Sequence, residues 1–406
     1  MTDWLLKLAL ALMGLHLPKS FSLLALVLIL LAWRCRDVPL LPQQKWLIWS
    51  VLGLLLFGIS YGLISLHYGL WRLAGRDLLD LISMIIFPAA ALWVGSRARA
   101  VFSWRQMSGL WLAYGLGALV FAWVVLFWGR GFPSGELLDI WQRRRDTSIA
   151  VPWGSEALMN VRSIEQNASL AVAWLVPGLW LLAIKEQRRW AAVLVASGLA
   201  GLGAVLAFGG RLGLLVALLG MVPVFVARKG RWACWPLGGC AALLLALQLH
   251  QGLVQRVLAS LYDERFDRFV GFLRAARRFP WGGEQIHFEY FDQQRHVVVA
   301  FDAGSGHLLH NVIFDIYARV GWWPMLLLLL VLIPLLLRAC VHLRLALRAP
   351  ESGQLAGALV AAGFLLCLTV QWLFQPLIYG DCLLFYLGFL LLGYLAAKQP
   401  SSAGSL

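Results

Sequence analysis

Apolar residues run almost unbroken along this chain for the length of a bilayer crossing, and they do so many times. One such run is "LGLLLFGISYGLISL" at residues 52–66, and another is "MLLLLLVLIPLLL" at 325–337. A bilayer's hydrocarbon core takes about 20 apolar residues as a helix. Lipid offers no partner to an unpaired backbone amide, so runs of this length must be helical. Twelve are expected, near residues 4–17, 21–33, 46–66, 78–95, 106–128, 168–184, 190–208, 212–227, 233–250, 312–337, 354–373 and 382–397. The expectation is an all-α polytopic membrane protein. The charged fraction agrees, at 13% against roughly 25% for soluble domains. Runs this long exclude an outer-membrane barrel, whose strands are short and alternate. Cys35, Cys234, Cys240, Cys340, Cys367 and Cys382 stand singly with no CxxC, so neither a disulfide nor a zinc framework is expected. No small-residue cleavage site follows the first apolar stretch, which reads as a retained helix.

Charge then orients the helices. Basic residues cluster at every second boundary: Arg34/Arg36/Lys45, Arg97/Arg99/Arg105, Lys185/Arg188/Arg189, Arg228/Lys229/Arg231 and Arg338/Arg344/Arg348. The positive-inside rule places these clusters, and with them both termini, in the cytoplasm. Topology thus accounts for the net charge of +14 without a nucleic-acid partner. Outward basic residues are arginines with the exception of Lys19. Arginine presents a planar fork of donors suited to phosphate or carboxylate. The expected organisation is helices one to nine over 1–250 with an outward loop at 129–167, then a large outward loop at 251–311 carrying short helices. Helices ten to twelve follow over 312–397, and a cytoplasmic tail at 398–406. Function concentrates on long connections, so the chemistry is expected outside.

Three outward stretches carry it. In "FGGRLGLL" Arg211 follows two glycines and opens an apolar span, where an arginine either snorkels to headgroups or holds an anion. In "DERFDRFVGFLRAARRFPWGG", residues 263–283, apolar positions at helical spacing alternate with Arg265, Arg268, Arg274, Arg277 and Arg278, and Pro280 with Gly282-Gly283 ends the helix. In "GHLLHNVIFDIYARVGWW", residues 306–323, His310 stands at the mouth of a span, and its ring can accept a proton near neutral pH. Asp315 and Arg319, four apart, share a helical face and pair structurally. His307 precedes His310 by three, but no carboxylate completes a metal set, and no metal or other cofactor is expected. No P-loop, dinucleotide glycine motif or Asp-x-Asp pair is present, which argues against a nucleotide-linked donor.

Together these stretches resemble the O-antigen ligase (WaaL) branch of the O-antigen ligase/polymerase superfamily. The ligase pattern, His then Asn, nine residues and Gly, is met by His310-Asn311 and Gly321; Pro324 stands where the family has Gly, Thr or Tyr. "RFDRFVGFLRAARRFPWGG" resembles the family's arginine segment running into a Pro-x-x-Gly turn, with Arg265 at the arginine position and Arg268 the fallback. Arg211 matches the family arginine that opens an upstream span. The resemblance implies a GT-C-like glycosyltransferase of about twelve transmembrane helices in a Gram-negative inner membrane, with its active site facing the periplasm. It implies metal-independent, inverting transfer of glycan from undecaprenyl pyrophosphate to a sugar hydroxyl of lipid A–core. His310 would be the general base, Arg211 and Arg265 would hold the pyrophosphate, and Asn311 and Tyr317 would orient or line the site. An O-antigen polymerase or a protein O-oligosaccharyltransferase would share the donor chemistry. A flippase for lipid-linked glycan is the rival from another class, although the internal repeat expected of a transporter is not evident.

Overall fold

The computed structural model describes residues 2–16, 20–38, 45–69, 75–130, 148–150, 158–182, 184–207, 212–227, 264–283, 286–292, 296–303, 309–348, 352–374 and 382–397. The chain is mostly helical. The elements in order are α1 (Thr2–Gly14), α2 (Ser20–Arg34), α3 (Lys45–His67), α4 (Gly75–Val101), α5 (Trp104–Arg130), β1 (Ser148–Ala150), β2 (Leu158–Asn160), α6 (Val161–Val172), α7 (Leu175–Leu181), α8 (Arg188–Ala207), α9 (Leu212–Leu219), α10 (Met221–Ala227), α11 (Glu264–Ala276), β3 (His287–Asp292), β4 (Val297–Asp302), α12 (Val312–Val320), α13 (Trp322–Arg348), α14 (Ser352–Phe374) and α15 (Cys382–Ala396). Among the described residues six helices are long and apolar enough to cross a membrane, and they lie within α3, α4, α5, α8, α13 and α14. The expected span at 233–250 lies outside the described residues.

The bundle is held by close helix crossings, as expected where lipid removes the hydrophobic drive between helices. α15 packs along α4 and α1 along α5. At the first crossing Gly95 abuts the Leu390 carbonyl while Gly393 abuts the Leu92 carbonyl. At the second, Gly117 faces the Ala11 carbonyl and Gly14 the Tyr114 carbonyl. A methyl group at any of these would force the backbones apart. Large apolar side chains that the bundle leaves exposed, such as Trp49, Leu63, Leu330 and Leu337, form faces that suit lipid and not water. The molecule is a membrane protein on this physical ground.

Several features depart from expectation. The runs at 168–184 and 212–227 are each broken into two short helices, α6 and α7 in the first and α9 and α10 in the second. The run at 312–337 is two helices, because Gly321 takes φ +95° between α12 and α13. The stretch 161–167, expected in an outward loop, is the first half of α6 and is partly core: Gln166 and Asn167 are buried. The large loop carries more than helices. β3 and β4 form an antiparallel hairpin in which His287 faces Asp302 and Asp292 faces Val297, so the chain is not wholly α. β-Branched and aromatic residues in "HFEYFD" and "VVVAFD" favour strand there. Helix and hairpin close over a small core of their own, with Phe272, Ile286, Tyr290, Phe301, Leu309 and Ala318 buried together.

Candidate functional site

Nine residues separate Asn311 from Gly321, and that interval is one helix capped at both ends. Asn311 is extended (φ −142°, ψ 122°), and its Oδ1 accepts from the N–H groups of Ile313 (3.0 Å) and Phe314 (3.1 Å). A first helical turn leaves these donors without partners unless a side chain reaches them. The Asn311 Nδ2 donates in turn to the Leu373 carbonyl (3.0 Å), tying the cap to the end of α14. At the far end the Gly321 N–H donates to the carbonyls of Ile316 (3.3 Å) and Tyr317 (3.1 Å).

The Pro-Trp-Gly-Gly turn docks on that far end, backbone against backbone. The Gly283 N–H donates to the Tyr317 carbonyl, and the Trp322 N–H donates to that of Trp281, both at 3.0 Å. Gly282 takes φ +70°, and a Cβ there would strike the Tyr317 carbonyl. A Cβ on Gly321 would lie 2.5 Å from the Trp281 carbonyl oxygen. Both glycines are therefore required by conformation and by space. Tyr317 braces the same joint, its hydroxyl donating to the Phe279 carbonyl (2.6 Å) and its ring lying edge-on to Phe272.

His310 sits just before this helix, half-buried, with a left-handed backbone of φ +60°. For a residue with a Cβ that conformation costs about 1–2 kcal/mol. Asp315 holds it. One carboxylate oxygen accepts from the Leu309 N–H (2.5 Å) and the other from the Asn311 N–H (3.1 Å), so a single side chain clasps the amides on both sides of His310. Asp315 is fully buried, and that burial pushes its carboxyl up to about 7. The Leu309 N–H, the Arg319 charge, the Asn311 N–H and the Arg268 charge pull the other way.

Arg268 belongs to this neighbourhood from a different element. It projects from α11, bears electrostatically on Asp315, and donates through Nε to the Tyr290 hydroxyl (3.3 Å), with its guanidinium 5.7 Å from the centre of that ring. Of the residues picked out in the sequence, the structure thus assembles His310, Asn311, Tyr317 and Arg268 around the two ends of α12. Arg265 lies in the first turn of α11, with its side chain outside the described residues. Arg211 and His307 also lie outside them.

Two contributions were not foreseen. Asp315 feels the Arg319 charge, as their spacing of four suggests, and in addition accepts hydrogen bonds from the turn that carries His310. A buried polar layer also adjoins the Asn311 cap. Gln371, two residues before Leu373, donates through Nε2 to the Gln166 carbonyl (2.6 Å) and the Ser169 hydroxyl (2.9 Å). The Tyr114 hydroxyl donates to the Asn167 Oδ1 (2.6 Å). A glutamine inside the apolar run "CLTVQWLF" was the available signal, since polar side chains within a membrane are expensive and seldom idle.

Fold and site together define a helical membrane protein that carries, at the end of α13 remote from Arg338, Arg344 and Arg348, a helix-and-hairpin module holding a histidine in a strained turn. No family model matches the chain, and no curated protein matches it significantly.

Proposed function

We propose that this protein is an O-antigen ligase, a metal-independent inverting glycosyltransferase of about twelve transmembrane helices and GT-C-like architecture. It would work at the periplasmic face of a Gram-negative inner membrane. The donor is a glycan on undecaprenyl pyrophosphate, and the acceptor is a sugar hydroxyl of lipid A–core. The observation that carries this reading is the His310 turn: a half-buried imidazole held at φ +60° by a buried carboxylate, with an arginine bearing on the same carboxylate.

His310 takes the proton from the acceptor hydroxyl as that oxygen attacks the anomeric carbon, a role worth roughly 10²–10⁴ in rate. The bond from that carbon to the pyrophosphate oxygen breaks on the opposite face, which inverts the configuration. Arg211 and Arg265, with Arg268 as the alternative on the same helix, bind the pyrophosphate and balance the charge that grows on it as it leaves. Fixed guanidinium groups supply this without a divalent cation. Asn311 keeps the base at the helix mouth through its cap.

Complementation of a deletion strain tests the reading, with lipopolysaccharide resolved on a silver-stained gel and membrane expression checked. The wild-type gene restores a polymer ladder, whereas His310→Ala leaves core without polymer while lipid-linked glycan is still made. A band carrying a single repeat in the deletion strain would mark a polymerase instead. Glycan trapped on the cytoplasmic leaflet would mark a flippase.

A further inference from the structure

Between α11 and the β3–β4 hairpin runs a groove of about 940 Å³ that the chemistry at His310 does not use. It stands at the upper end of the roughly 300–1,000 Å³ typical of small-molecule clefts. Gly271 brings its two walls together: a Cβ at that position would lie 2.8 Å from the Phe288 ring, so the glycine lets the hairpin come down onto the helix. Phe279, Phe288 and Phe291 are among its lining; Phe291 is exposed, whereas Phe288 is stacked on the buried Phe301 at 4.8 Å. Asp267, Arg274 and Arg278 line the helix side, and Glu289 and Asp302 line the hairpin side.

We propose that this groove binds an oligosaccharide, as a subsite of the glycan transfer inferred above and resting on that reading. A sugar ring offers an apolar C–H face rimmed by hydroxyls that both donate and accept. Aromatic faces meet the first; carboxylates accepting and guanidinium groups donating meet the second. The alternatives fit less well. An acyl chain would strip water from five carboxyl and guanidinium side chains with nothing in return. A phosphate or a nucleic acid would be repelled by Glu289 and Asp302 and would leave the phenylalanines unused. The position is apt as well. The opposite face of α11 places Phe269 and Phe272 against Phe314 of α12, at 5.7 and 5.0 Å. One helix, about 10 Å across, therefore stands between the groove and the element that His310 precedes.

The test uses the full-length protein in nanodiscs and two lipid-free oligosaccharides, one released from lipid A–core and one from the lipid-linked donor. Calorimetric titration gives a Kd for each, which distinguishes acceptor from donor as the source. Arg278→Gln with Glu289→Gln alters two exposed side chains and is expected to weaken the bound oligosaccharide by about tenfold or more, the loss of charge-assisted hydrogen bonds. Phe291→Ala, which removes a half-exposed ring, weakens the same ligand, whereas His310→Ala leaves its Kd unchanged. In transfer assays the double variant raises KM for that substrate and keeps kcat. Equal binding by wild type and double variant, or no binding by wild type, overturns the groove proposal even if transfer proceeds normally. Binding lost in the double variant, with no transfer by the wild type to any acceptor, upholds the groove and removes the ligase reading.

Discussion

His310 is held at φ +60°, where a glycine would be about 1–2 kcal/mol more comfortable. His16 and His296 also take positive φ, at 49° and 52°, so what sets His310 apart is the clasp of its two flanking amides by Asp315. The imidazole and the backbone turn are two separate demands. His310→Gly and His310→Ala separate the two demands, since both remove the imidazole and only glycine releases the strain. Both variants are expected to lose transfer, with the glycine variant more heat-stable by about 1 kcal/mol. Retained transfer in either would remove the base. Asp315 gives a second residue-scale prediction. Asparagine would accept from one flanking amide and present an NH₂ to the other, so Asp315→Asn should loosen the turn and lower kcat while pyrophosphate binding persists. Its pH signature has a definite sign. The carboxyl moves from an ordinary 3.8 to about 7 through burial, so between those values the folded state holds a proton that the unfolded state has released. Wild-type stability therefore falls as pH rises from about 4 to about 7 and levels off above that, while Asp315→Asn shows no such slope. Thermal melts in detergent across that range decide it, and parallel profiles would contradict the assignment.

At the scale of elements, the interval of nine residues between Asn311 and Gly321 is the length of α12 from cap to cap. A pattern that reads as chemistry is thus in large part architecture: Asn311 starts the helix, Gly321 ends it, and the Pro-Trp-Gly-Gly turn closes on the end. Gly321 takes φ 95° with ψ −179°, a region open essentially to glycine alone, so Gly321→Ala should cost about 1–3 kcal/mol for the conformation and in addition the collision with the Trp281 carbonyl. Gly69 is the control, since it takes φ +71° with nothing within 4 Å of where a Cβ would stand. Gly69→Ala meets no such collision and should lose less. Melting both variants measures the difference, and equal losses would show that docking of the turn adds nothing. Sequence made much of this legible, because caps, prolines and glycines act over three or four residues. It did not reveal the clasp by Asp315, whose carboxylate had an equally plausible local partner in Arg319. Nor did it reveal the hairpin, whose aromatic and valine-rich strands lay in a segment read as short helices.

At the scale of the molecule, hydropathy was the most readable property, because lipid acts on each apolar run separately. The buried layer of Gln166, Asn167, Ser169 and Gln371 escaped such a reading, since only packing of α5, α6 and α14 brings those side chains together. Polarity along α13 links the two scales. Trp322 and Trp323 open it beside Trp281, with ring centres 5.8 and 5.4 Å apart in series, and Arg338, Arg344 and Arg348 lie towards its other end. Tryptophans favour the headgroup level and arginines the cytoplasmic side, so the helix-and-hairpin module with His310 should face away from the cytoplasm. Single cysteines in an otherwise cysteine-free chain measure this in intact cells. Val298 is 63% exposed on β4, and Val298→Cys should react with a membrane-impermeant maleimide added outside once the outer membrane is made leaky. Arg344→Cys, exposed near the other end of α13, should react only after the inner membrane is opened. The reverse pattern would place His310 in the cytoplasm, where a glycan carried on the outer leaflet never comes, and the ligase reading would fall with it.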